Sequence, residues 1–223
     1  MKLIAFGNAR LNPNSPRCKN KMLRPFAGTT LVEIAARRLS NLTSIDGVYF
    51  AVHEEKLLKL VRNFLPEDSI IKRSQESASA NGPITLIHDY LLDLEFDYCM
   101  WVNSCHAFLK SSTLDEAAKR FRQGQVRSMT AVRNRYTWFY TPEGKSINND
   151  PTIVSTAKTP PLFEVTHAFH LFEKDHFFKT ASYWRNMEND PLMYVIDDLE
   201  ALDIDTDIDF LISESVYKTS QSP

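Results

Sequence analysis

Short apolar runs alternate with helical stripes along the first 130 residues. Lys2 to Gly7 holds the unbroken apolar run Leu3-Ile4-Ala5-Phe6, the pattern of a strand covered on both faces. The long loop that follows, Asn8 to Gly28, is rich in Asn, Pro, Arg and Lys. Thr30 with Glu33 three residues on forms a capping box, and Leu31, Ile34, Ala35 and Leu39 form the apolar stripe of the helix it opens. Val48, Phe50 and Val52 alternate in a strand predicted over 46–52, and Leu57, Leu58, Leu60 and Val61 predict a helix over 54–64. Residues 69–72 read as a short strand, and a helix is predicted from Gly82-Pro83 to about Leu92. The apolar segment 96–103 is predicted as a central strand, Ser112/Thr113 as the cap of a helix to about Phe121, and 127–132 as a further strand. This alternation predicts a three-layer α/β/α fold around a mostly parallel, Rossmann-like sheet.

The pattern changes after about residue 133. Segments 136–140, 142–145 and 146–149 predict a β-hairpin arm inserted over about 134–163. A strand over 164–173 carries alternating Phe and His, a short helix follows over 175–181, and an acidic strand and a last helix close the chain, fraying after about Tyr217. With no repeat and no low-complexity linker, residues 1–223 are expected to form a single domain.

The closing segment Ala201-Leu-Asp-Ile-Asp-Thr-Asp-Ile-Asp-Phe210 carries four alternating aspartates. On a strand Asp203 and Asp205 share a face, with Leu202 and Ile204 turned inward. Two close carboxylates repel unless a cation offsets them, and carboxylate oxygen suits Mg²⁺. Asp207 and Asp209 have a plainer reading: Thr206 is a helix N-cap, Asp209 its capping-box acid, and Asp207 favours the positive helix end.

Composition narrows the function. An apolar fraction of 43% supports a real core, and a formal charge of −2 supplies no basic field for nucleic acid. No apolar run reaches membrane-spanning length and no cleavable signal pattern opens the sequence. Cys18, Cys99 and Cys105 are an odd set without metal-type spacing, as expected in a reducing cytoplasm. Against that even charge, Arg10, Arg17, Lys19, Lys21 and Arg24 crowd the first loop, where a parallel sheet presents its ligand site. Such cations grip phosphate. Neither GxGxxG nor GxxxxGK[ST] occurs, which argues against a dinucleotide-type Rossmann protein and against a P-loop NTPase.

Asn8-Ala9-Arg10, then Lys19-Asn20 and Leu23-Arg-Pro-Phe-Ala-Gly28, resemble the opening of the cytidylyltransferases that make CMP-activated sugar acids, the acylneuraminate and 3-deoxy-manno-octulosonate enzymes. Arg73 to His88, Trp101 to Phe108, Val165 to Phe169 and Glu200 to Asp205 match later stretches of that family in order. The resemblance implies a nucleotide-diphospho-sugar transferase fold and transfer of CMP from CTP to a sialic-acid-like 2-keto sugar acid. It implies Arg10 and Lys19 on the triphosphate, Asp203 and Asp205 on Mg²⁺, and Asn8, Ala9, Asn20, Arg73 and Asn103 around the nucleotide. Arg17 and Lys21 are supporting charges in this picture. The sugar acid's carboxylate needs a cation, for which Arg133 and Arg135 are candidates, and His167 and His106 could line the same pocket. The aromatic arm, with Trp138, Phe139 and Tyr140, implies a homodimer. Two alternatives remain open: another nucleotidyltransferase or a metal-dependent glycosyltransferase, and a relative that binds nucleotide without turnover.

Overall fold

The first strand, β1 (Leu3–Asn8), is the axis of the molecule. The computed structural model describes residues 1–79, 82–150, 152 and 154–220. Leu3 and Ala5 of β1 face one apolar cluster and Ile4 and Phe6 face another, so the strand is covered on both sides. It pairs in parallel with β2 (Gly47–Val52) and with β4 (Tyr98–Asn103). With β3 (Ile70–Lys72), β5 (Met129–Arg135), β6 (Leu162–Glu173) and β7 (Leu192–Val195), the sheet order is β3-β2-β1-β4-β6-β5-β7. β6 runs antiparallel to both its neighbours, and every other pairing is parallel.

The larger core lies under α1 (Leu31–Ser40), α2 (Glu55–Val61), α4 (Ser111–Gln123) and α6 (Asp207–Ser220). The smaller lies under α3 (Ile84–Ile87) and α5 (Lys174–Thr180). The three layers and the mostly parallel sheet are as the hydrophobic pattern predicts, and α1 buries all four residues of its expected stripe. Thr30 Oγ1 accepts from the Glu33 amide, as its capping box requires. A Cβ on Gly7 would come within 2.9 Å of Leu39 Cδ1, so a side chain there would require the buried Leu39 of α1 to shift.

Several boundaries differ from expectation. The segment 201–205 is irregular rather than a strand; Ile204 is fully buried but Leu202 is only half-buried. Ser112 and Thr113 lie inside α4, and the Thr113 hydroxyl donates to the Glu200 carboxylate, tying the helix to the segment before Asp203. The helix after Pro83 stops at Ile87, because His88 turns inward between the Tyr90 and Tyr183 hydroxyls, and a 3-10 turn (89–91) follows. β7, at the sheet edge, was not expected. Between β5 and β6 the arm shows, among the described residues, one isolated antiparallel bridge, Tyr140 to Ser146, rather than a regular hairpin; residues 151 and 153 lie outside the described residues. The expected frayed end is helical to Ser220, with 221–223 outside the described residues.

Candidate active site

The chain order turns around between β1 and β4: β2 and β3 lie to one side of β1, and β4 to the other. Ligands of open α/β sheets bind beyond the strand carboxyl ends at such a switch. A cavity of about 330 Å³ opens there. Its floor is Asn8 at the end of β1, Ala9 just after it, and Asn103 at the end of β4; Arg73, following β3, closes one side. The first loop folds over it and contributes Arg10, Asn12, Ser15, Arg17, Cys18 and Lys21, while Asp205 reaches in from the far end of the chain.

Asp205 is held by the loop. Arg17 contacts Asp205 Oδ2 at 3.1 Å and Lys21 Nζ contacts Oδ1 at 3.0 Å. Burial pushes the Asp205 carboxyl up, but the Lys21 hydrogen bond and the two cations outweigh it and hold it below its ordinary value. Lys21 mirrors this: burial works against its charge, yet Cys105 and Asp205 raise its pKa. Asp203 behaves oppositely. Burial first, then the neighbouring Asp205 charge, raise it to about 6. Its Oδ1 is buried without a hydrogen-bond partner, and its Oδ2 lies 3.9 Å from His106 Nε2, which is likewise unpartnered.

Downstream the segment is pinned as predicted. Thr206 Oγ1 accepts from the Asp209 amide at 3.1 Å, and Asp209 Oδ2 accepts from the Thr206 amide at 2.8 Å. Arg24 pairs with Asp207. Burial pushes Asp209 up, but its Thr206 hydrogen bonds pull it below its ordinary value.

Residues 8–203, most of the chain and all of the cavity wall but Asp205, match the cytidylyltransferase family. The chain belongs to that family. It is a nucleotidyltransferase that uses CTP. The post-translational flagellin modification protein B of Campylobacter coli is 19% identical over 90% of this chain and 89% of its own length. A CMP:2-keto-3-deoxy-manno-octonic acid synthetase solved with CTP superposes with a TM-score of 0.69 at 10% identity, covering 99% of this chain and 100% of its own. A 4-diphosphocytidyl-2C-methyl-D-erythritol synthase from Anaerococcus prevotii gives 0.67 at 11% identity, over 97% and 96%. At these identities the two structures establish the shared fold.

In this cytidylyltransferase the cavity gathers Asn8, Ala9, Arg10, Arg73, Asn103 and Asp205 of the residues singled out from sequence. Several are held by their own neighbours. Asn8 Oδ1 accepts from Trp101 Nε1 at 3.2 Å, Arg10 donates to the Ala78 carbonyl at 3.3 Å, and the buried Arg73 guanidinium donates to the Ser77 and Ile87 carbonyls. Asn103 Oδ1 accepts from the Cys105 amide.

The others are placed elsewhere. Lys19 is exposed and outside the cavity wall, and Asn20 takes a left-handed turn (φ 48°) with its Oδ1 buried and unpartnered. The turn brings Arg17 and Lys21 to the carboxylate instead. His106 does not line the cavity. It is fully buried, its Nδ1 donates to the Glu200 carbonyl at 3.2 Å, and burial above all lowers it to about 3. Arg133 and Arg135 are not free for a carboxylate: both pair with Glu164, at 2.7 and 3.0 Å. His167 is exposed on β6, one strand beyond Asn103. Cys105 lines the cavity without having been singled out, as a thiol that burial pushes up to about 11.

The donor set fits a divalent cation. Asp203 offers a buried oxygen with no partner, and Asp205 stands two residues away. Among the described residues no group of three or more His, Cys, Asp or Glu could hold a metal ion, so the remaining ligands would be phosphate oxygens and water, the habit of Mg²⁺. No helix among the described residues is long and apolar enough to cross a membrane.

Proposed function

We propose that this chain transfers CMP from CTP to the anomeric hydroxyl of a sialic-acid-like 2-keto sugar acid and releases pyrophosphate, with Mg²⁺ held by Asp203 and Asp205. The reading rests on one observation: acid and cations from opposite chain ends meet across a single cavity at the sheet's switch point. Displaced from Asp205, Arg17 and Lys21 would join Arg10 in neutralising the triphosphate and the charge that builds on the leaving pyrophosphate. The backbone at Asn8 and Ala9, with Arg73 and Asn103, would cradle the nucleoside. Mg²⁺ bound at the aspartates would neutralise phosphate charge and polarise the phosphorus. The synthetase solved with CTP is named for a CMP-linked 2-keto sugar acid, which supports an activated sugar acid as product, rather than the methylerythritol compound named for the second structure.

Tyr136, Trp138 and Tyr140 are exposed on the arm, which supports a homodimer built on it. Three free cysteines suit a reducing cytoplasm.

The test is thermal stability with CTP, UTP, ATP or GTP, each with and without Mg²⁺, followed by pyrophosphate release with candidate sugar acids. Ligand at about a hundred times its Kd stabilises by about 2.7 kcal/mol. Stabilisation selective for CTP, enhanced by Mg²⁺ and followed by pyrophosphate release, is expected. A preference for another nucleotide, or none at millimolar concentration, refutes the reading.

A further inference from the structure

We propose that His167 accepts the proton of the attacking sugar hydroxyl and that buried His170 is its positioning residue. The inference rests on the transfer reading above and adds a base to it.

His167 adopts left-handed backbone geometry (φ 56°) within a strand, a costly conformation for a residue with a Cβ, and such strain gathers at functional positions. The β5–β6 register shifts between Thr130 and Val132, across from this region. In the β4–β6 pairing Val102 stands opposite Phe169. Continued, that register sets His167 opposite Ser104, just past the Asn103 that floors the cavity. His167 is also exposed, and the acidic segment lies just past the end of β4, where the Ile204 amide donates to the Cys105 carbonyl.

Behind it the ring is held by a line of hydrogen bonds. His167 Nδ1 is 3.0 Å from His170 Nε2, and His170 Nδ1 is 2.8 Å from Thr130 Oγ1. His170 is fully buried, its ring centroid 5.4 Å from Trp101, 4.9 Å from Tyr183 and 5.0 Å from Trp184. Burial, then the charges of His167 and His106, push His170 down to about 3, so it is neutral and carries one ring N–H. When that proton sits on Nδ1 it goes to Thr130, and His170 Nε2 accepts from the His167 Nδ1–H. That leaves the lone pair of the exposed His167 ring on Nε2. A base oriented from behind by a fixed partner is the general logic of activated nucleophiles. The titratable groups near the pair are His106, from the loop after β4, and Tyr183, packed on His170.

In the step, the sugar O–H bond breaks and its proton passes to His167 Nε2. The oxygen bonds to the α-phosphorus as the bond from that phosphorus to the bridging oxygen breaks, releasing pyrophosphate. The exposed imidazolium returns its proton to water.

Two measurements test this. The first is ¹⁵N correlation of the histidine rings in the whole protein, with His167 assigned by its absence in His167→Gln. It should show neutral His167 as the Nδ1–H tautomer, and a shift toward Nε2–H in His170→Phe, which keeps an aromatic ring but removes the hydrogen bonds. The second is pyrophosphate release with CTP and N-acetylneuraminic, pseudaminic, legionaminic or 3-deoxy-manno-octulosonic acid. His167→Gln should lower kcat about 100-fold or more, the usual worth of a general base, with CTP stabilisation unchanged. His170→Phe should lower kcat with KM held. A wild-type Nε2–H tautomer, or His167→Gln within about threefold of wild-type kcat, where general-base loss is far larger, overturns the proposal. Absence of CTP stabilisation in the wild type refutes the transfer reading instead; CTP stabilisation with an unimpaired His167→Gln refutes only this one.

Discussion

Replacing Asp203 with Asn should stabilise the protein at alkaline pH. The folded state holds this carboxyl at about 6 against an ordinary 3.8. The native form therefore binds the proton more tightly than the unfolded chain. The stability this supplies is fully present below about pH 3.8 and is lost as pH rises through about 6. Above that, ionised Asp203 costs up to about 3 kcal/mol at about 1.36 kcal/mol per pK unit. The side chain is 32% exposed, so solvent screening reduces the expected figure to about 1–2 kcal/mol. With an unfolding entropy of about 2.1 cal/mol/K per residue, that corresponds to about 2–4 °C for a chain of this length. Differential scanning calorimetry of wild type and Asp203→Asn, without metal or nucleotide, at pH 8 and pH 4 measures it. The variant should melt higher at pH 8, with the gap shrinking markedly at pH 4. A variant that melts lower at pH 8, or a gap unchanged by pH, refutes the assignment of the buried charge as the destabilising element.

Asp205→Asn should cost at least about 100-fold in Mg²⁺-dependent turnover while the melting temperature stays within about 3 °C, because the side chain is 41% exposed; near-normal turnover removes the metal role. Lys21→Met should raise the Kd for CTP by about tenfold, one charge-assisted contact's worth, read by calorimetric titration, and an unchanged Kd would leave Lys21 only a structural tie. Asp115→Ala should destabilise by about 3 kcal/mol in urea, since it strips acceptors from the Thr43 and Ser44 amides and the Thr43 hydroxyl; a loss under about 1 kcal/mol would show those groups re-solvated. Sedimentation equilibrium should return twice the 25.6 kDa chain mass, and monomer mass across concentrations would remove the dimer.

The parts of the fold legible in sequence were those fixed by neighbours a few residues apart. The Thr30–Glu33 and Thr206–Asp209 caps and the run of β1 need only local spacing. β7 escaped notice because a four-residue edge strand, alternately half-buried and exposed, gives almost no period. At the site, the loop's cations were visible as a group, but which would meet the acid was not. The left-handed turn at Asn20 decides that Lys21 points in while Lys19 stays out. His106 was misplaced because the group that orients it, the Glu200 carbonyl, lies far along the chain, and the same distance hid the tie of Arg133 and Arg135 to Glu164.

The pairing of Asp205 with Arg17 and Lys21 has a consequence for how ligands arrive. In the resting site, the carboxylate proposed to hold the ion is paired with two of the cations proposed to hold the phosphates. The nucleotide alone would take the cations and strand the carboxylate; the ion alone would take the carboxylate and strand the cations. Only together do they leave every charge matched. Occupancy by CTP and Mg²⁺ should therefore be reciprocal, each tightening the other by the same factor. On the proposed assignment, the resting site would favour the ion–nucleotide chelate over either component.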